Sequence, residues 1–215
     1  MKWINKLERS LYKYPIRPFF KYIIIAMGGV YLLDLFFPMA FLSARLSLIR
    51  DSVLAGEIWR LFTFLIVSIS GRPFAVLLSL YFYYFIGTAL ETKWGARRFL
   101  VYYALGAIGT IISAFITGYA PNTYLNLSLF FAFAIEFPHF QVMLFFLFPI
   151  KMSWLAAINA MFYLSSFIFM SWQHKVAILF SLANLFLFFG GDIINRIRQT
   201  IYQYKRRKAF KDQFK

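Results

Sequence analysis

Apolar residues gather in long runs separated by short polar stretches, and no run keeps one face polar. The runs fall at about 22–41, 74–90, 99–117, 125–137, 154–170 and 176–194. A helix wetted on one side shows an apolar stripe, whereas a helix apolar all round is buried in protein or lipid. Several runs approach the ~20 residues that cross a bilayer's hydrocarbon. The pattern therefore predicts an all-α membrane protein with six transmembrane helices. The fourth run is short, and a helix of that length must be sheltered by its neighbours or sit in a thinned bilayer.

The connecting segments are unequal. The longest, 42–72, carries Gly56-Glu57-Ile58-Trp59-Arg60-Leu61-Phe62-Thr63 and further apolar residues. A loop so rich in Trp, Phe and Leu does not float in water, so short amphipathic helices embedded in the outer leaflet are expected there. Residues 140–149 are apolar but too few to cross, and are expected at the cytoplasmic interface.

Composition strengthens this picture. Of the 215 residues, 61% are hydrophobic, only 14% are charged and 29 are Phe, with a mean hydropathy of +0.67. A soluble domain is nearer half apolar and could not hide this much apolar surface. With no Cys, disulfides, thiolate metal sites and thiol nucleophiles are excluded. No small-residue cleavage site follows the first run, Ser43-Ala44-Arg45 being a poor one, so no cleaved signal peptide is expected.

The net charge of +15 raises the question of nucleic acid, and its placement argues against that. Lys2, Lys6, Arg9, Lys13, Arg17 and Lys21 precede the first run. Arg196, Arg198, Lys205, Arg206, Arg207, Lys208, Lys211 and Lys215 follow the last. Such clusters mark cytoplasmic tails beside anionic lipid. With the N-terminus inside, eighteen of the 23 Lys and Arg lie on the cytoplasmic side. Both termini are thus expected in the cytoplasm. Residues 1–21 read as a basic N-terminal segment, 22–195 as one membrane domain, and 196–215 as a basic tail that anchors the topology.

Residues in the loop and spans carry a resemblance. Trp59-Arg60 with Thr63 occupies the long first loop. Gly87-Thr88-Ala89-Leu90-Glu91, then Trp94-Gly95 and Phe99, closes the second span. Small residues run from Gly106 to Gly109 in the third. The short fourth span is followed by Phe137-Pro138, and Pro149-Ile150-Lys151 by Trp154-Leu155. In order and topology, from about Gly56 to Gly191, these resemble the rhomboid superfamily, which implies a six-helix rhomboid-like bundle. Physically, Trp59 suits an interface, Arg60 in an apolar loop needs carbonyl or carboxylate partners, and the glycines permit close helix packing. Glu91 either stays solvated or, as the resemblance implies, bonds to the first loop.

Active rhomboids use a Ser–His dyad, with the Ser in a G-x-S-G motif and oxyanion donors on span two. A serine hydroxyl needs a base to take its proton, and the developing oxyanion needs donors aimed at it. By resemblance, Ser128 in Asn126-Leu127-Ser128-Leu129 falls at the nucleophile position, without the flanking glycines. Asn184 falls where the base should be and cannot accept a proton at neutral pH. Ala75 and Ser79 fall at the oxyanion positions and offer neither His nor Asn.

The two histidines do not replace the base. His139 follows span four and is expected on the cytoplasmic side, while His174 stands about ten residues before Asn184, or ~15 Å along a helix. Ser128 then reads as a small hydroxyl bonding to a carbonyl or across helices. Asn184, with Ser181 three residues earlier, is expected to bond to span four or two. Asp34 and Asp192 sit near span ends, where water or a partner can meet them. No metal or cofactor is implied.

The function that follows is a catalytically inactive, derlin-like member that binds transmembrane helices of other proteins in trafficking or membrane quality control. The alternatives are an intramembrane serine protease using Ser128 with an unorthodox base, and a transporter or channel. Against the last stand the lack of inverted repeats and of central ionisable residues. The expected location is a bacterial plasma membrane, with the endoplasmic reticulum as the alternative.

Overall fold

The computed structural model describes residue 13 and residues 15–67, 71–144, 148–190 and 206. Helix α1, Phe20–Phe36, carries charge only at Lys21 and Asp34, near its two ends, and ends where Pro38 cannot supply an N–H to continue it. A 3₁₀ turn at Pro38–Ala40 and a left-handed Phe41 lead into α2, Leu42–Leu46, and the axis bends by 109°. The first span was expected to run to residue 41; instead it stops at Phe36. Asp34 explains the corner. Its carboxylate accepts the Leu42 and Ser43 N–H groups at 2.7 and 2.9 Å, satisfying two of the orphan donors that open α2.

The first loop continues as α3, Arg50–Leu54, α4, Arg60–Thr63, and a 3₁₀ turn at Phe64–Ile66. It closes on the segment after the third long helix. Gly118 O accepts the Arg50 N–H at 2.9 Å, and Leu48, Val53, Phe64, Ala114 and Ala120 form a small core of their own. Outward, Met39, Leu54, Ile58 and Phe62 are exposed, as a surface lying against lipid requires.

Helices α5, Pro73–Trp94, and α6, Ala96–Thr117, each have 22 residues and meet at Gly95. Its φ of +81° is a conformation that a side chain disfavours, so glycine is needed at this corner. Helix α7, Thr123–Glu136, is only 14 residues, about 21 Å. It packs against α5, α6 and α8 and buries most of its length. Enclosed in this way, it does not have to match the bilayer thickness. Its end is pinned to α5: Trp94 Nε1 donates to Glu136 Oε1 at 3.0 Å, and Lys93 Nζ lies 2.7 Å from Glu136 Oε2.

Between α7 and the next helix the chain is not simply interfacial. Strands β1, Gln141–Leu144, and β2, Phe148–Lys151, pair antiparallel, with Gln141 opposite Lys151 and Val142 opposite Ile150. Helix α8, Met152–Phe169, and helix α9, Trp172–Gly190, complete the described chain. Asp192 and the 196–215 tail, apart from residue 206, lie outside the described residues.

Among the described residues, four helices are long and apolar enough to cross a membrane: α5, α6, α8 and α9. Helix α1 reaches that measure only with its bent continuation, which makes five. The main core joins α1, α5, α6, α7 and α9 through Phe20, Leu90, Phe99, Tyr102, Leu125, Phe133 and Phe188. Helix α8 stays largely outside it.

Candidate functional site

Ser128 sits mid-way along α7, buried, on the face turned to α6 and α9. Its hydroxyl donates to Leu125 O at 3.0 Å, one turn back on its own helix. Tyr102 of α6 points its hydroxyl at Ser128 Oγ, 3.1 Å away, and at Ser128 O, 2.9 Å away. From α9, Asn184 Nδ2 approaches Ser128 Oγ and Tyr102 O, both at 3.4 Å. Ser128 and Asn184, the positions that the resemblance pairs as nucleophile and base, therefore meet at the crossing of three helices. The Ser128 hydrogen goes to Leu125 O, while the Tyr102 hydroxyl, shared between Ser128 O and Oγ, and Asn184 Nδ2 both face the Ser128 oxygen. The two side chains facing it are a phenol and a carboxamide, and neither is a general base for a serine proton at neutral pH.

Close approach of the backbones makes this meeting possible. A Cβ on Gly106 would overlap Leu125 Cδ1 and come within 2.9 Å of Asn184 Nδ2. Gly106 lies one turn from Tyr102, on the same face of α6. Ser181, one turn before Asn184, donates to Tyr124 O at 2.7 Å and ties α9 to α7. Tyr102 and Tyr124 were not singled out from sequence. For Tyr102 the available signal was its i, i+4 spacing to Gly106, which sets a hydroxyl beside a gap.

Ala75 and Ser79, which the resemblance puts at oxyanion positions, make no hydrogen bond towards Ser128. Ala75 is exposed near the start of α5, and Ser79 is half-buried without a hydrogen bond to another described residue. Of the histidines, His139 is exposed after α7, at the other end of that helix from its first turn. His174 Nδ1 lies 2.5 Å from the Tyr124 hydroxyl and is engaged there. Among the described residues no three His, Asp or Glu side chains gather as a metal group would require.

The loop positions are structural in their contacts. Arg60 is buried, donates to Ala44 O and Ser47 O at 2.8 Å each, and pairs with Glu57. Thr63 Oγ1 donates to Leu46 O at 3.1 Å. Trp59, beside Arg60, is 51% exposed to the surroundings of the loop. Successive residues of a helical turn point about a quarter-turn apart, so one that faces the loop core sends its neighbour outward.

Glu91 is buried and accepts the Phe19 N–H at 2.8 Å. Its partner is therefore the entry to α1 rather than the first loop, a place where a carboxylate also complements the helix dipole. Gly87 lies under the Phe20 ring, where no Cβ fits.

Residues 21–125, just under half of the chain, match the family described as eukaryotic integral membrane protein (DUF1751). The match spans α1 to the first turn of α7 and stops short of Ser128 and Asn184. No curated protein matches the chain in sequence. Match and apolar helices agree that this is a polytopic integral membrane protein. The eukaryotic description overturns the expectation of a bacterial plasma membrane. Hydropathy and charge report on a bilayer, and every cell's bilayer imposes the same rules, so they carried no source of their own.

Proposed function

We propose that this membrane protein has a rhomboid-like bundle of six crossings, lacks protease activity, and binds transmembrane segments of client proteins. The observation that carries the proposal is the state of Ser128, whose proton is given to Leu125 O and whose oxygen faces two donors. Covalent catalysis by serine needs a neighbouring base. Asn184 is an amide, and its nitrogen donates here.

The six crossings add α1 and α7 to the four long helices. At 17 and 14 residues both are short, and short helices favour a locally thinned bilayer. Such thinning lowers the cost of exposing backbone in a client helix that carries polar or helix-breaking residues. Helix α8 is the candidate contact. It packs on α7 and β2 and leaves Trp154, Ile158, Met161 and Leu164 exposed.

Topology can be read directly. Reporters fused at residues 1 and 215 should both report the cytoplasm, and one at Asn122 the opposite side, as the distribution of Lys and Arg requires. A cytoplasmic signal at Asn122 would remove the six-crossing arrangement. For the client, a photo-crosslinker at Met161 in native membranes should capture single-span proteins, identified by mass spectrometry. Capture should be equal in wild type and Ser128→Ala. Adducts to lipid alone would remove the client-binding reading.

A further inference from the structure

We propose that the cavity between α7, α8 and α9 binds a neutral lipid through a hydroxyl head group. This inference does not rest on the client-binding reading. The cavity, about 460 Å³, lies where α7 and α9 begin and α8 ends. It is lined by Thr123 and Tyr124, by Asn159, Tyr163 and Ser166, and by His174.

The three α8 residues are spaced by four and three and so share one face. Each is half-buried, while the rest of α8 turns Ile158, Met161, Leu164 and Ile168 outward. A polar stripe on a membrane helix is costly unless something polar meets it. Among the described residues no protein group hydrogen-bonds across the cavity to this stripe. Asn159 Nδ2 bonds to Leu155 O at 3.1 Å and Ser166 Oγ to Phe162 O at 2.8 Å, both on the same helix. Asn159 Oδ1 and the Tyr163 hydroxyl make no hydrogen bond among the described residues. On the opposite wall the Tyr124 hydroxyl and His174 Nδ1 satisfy each other. With the hydroxyl donating, the ring hydrogen sits on Nε2.

The lining selects the ligand. It contains no Lys, Arg, Asp or Glu, so a phosphate, carboxylate or ammonium would be buried without counter-charge. A neutral hydroxyl fits better, since it can donate to Asn159 Oδ1 and accept from the Tyr163 hydroxyl. Phe162, Met170 and Ile178 supply apolar wall for a hydrocarbon body. Phe162 is 66% and Met170 48% exposed on the face that meets lipid, so the way in is from the bilayer. The volume equals about one turn of α-helix with its side chains, too little for a client span. Sterols and diacylglycerols share the required chemistry.

The test uses the full chain in phosphatidylcholine vesicles carrying a trace of photoactivatable sterol, diacylglycerol or phosphatidylcholine, with adducts mapped by mass spectrometry. At least one neutral probe should label residues 123–124, 159–166 or 174 saturably and be displaced by its unlabelled form. Which one does so separates the two sources. Asn159→Leu and Tyr163→Phe should each reduce that labelling about five-fold, the equivalent of one hydrogen bond near 1 kcal/mol. Labelling at Trp154 and Met161 should not change. Equal labelling of the cavity by the phosphatidylcholine probe, or labelling unchanged in both variants, would overturn the proposal. Should a variant fail to fold, the comparison of probes on wild type still decides.

Discussion

Arg60→Ala is expected to lower the protein's stability by roughly 3 kcal/mol, at the lower end of what breaking a buried ion pair costs. The guanidinium holds Ala44 O, Ser47 O and Glu57 at once, and so ties α2 and its exit to α4. Removing it leaves two carbonyls and a carboxylate without their donor. The figure stays at the lower end because the Glu57 side chain is 38% exposed and regains water. Arg60→Lys should fall between, since one ammonium cannot reproduce the planar fork that reaches several acceptors. Thermal unfolding in detergent measures both. A melting point unchanged in Arg60→Ala would mean that the first loop does not depend on this side chain.

Gly106→Val is expected to be at least as damaging, and for a steric reason. The first added carbon meets Leu125 Cδ1 and crowds Asn184 Nδ2. Overpacking a core costs about 1–3 kcal/mol. Pushing α9 away also removes the bonds from Asn184 to Ser128 and Tyr102, each worth about 0.5–1.5 kcal/mol. Gly109→Ala is the control, because the added carbon there has nothing nearer than Phe180 Cδ1 at 3.7 Å. It should be neutral or slightly stabilising, as alanine favours a helix over glycine. In an Asn184→Ala background the penalty of Gly106→Ala should shrink, which a double-mutant cycle would register. Equal effects at Gly106 and Gly109 would place the helix crossing elsewhere.

These two sites show what sequence could and could not convey. Helix positions were legible because lipid imposes long uninterrupted apolar runs, and α5, α6, α8 and α9 fall within a few residues of them. The Pro38 corner was masked by the same signal. Phe36, Phe37, Met39 and Phe41 keep the run apolar although the backbone has turned. The paired strands at 141–151 escaped because a short apolar run has no period that tells strand from interfacial segment. Arg60's need for acceptors was legible from chemistry, but not which carbonyls would serve. Glu91's partner at Phe19 was not legible at all, since 72 residues separate them. The meeting of Ser128 with Asn184 was implied only by resemblance. Tyr102, which joins them, gives no signal in the sequence beyond its i, i+4 spacing to Gly106 in an apolar run.

On the proposed reading Ser128 is a structural hydroxyl and not a nucleophile. The direct measurement is cleavage of a single-span reporter in membranes by wild type, Ser128→Ala and Asn184→His. No cleavage is predicted from any of the three. On the proposed reading wild type has no base at Ser128, and the histidine variant would still lack donors at Ala75 and Ser79, where the resemblance puts the oxyanion site. Cleavage by wild type that disappears in Ser128→Ala would contradict the account and direct attention to His174 as the base.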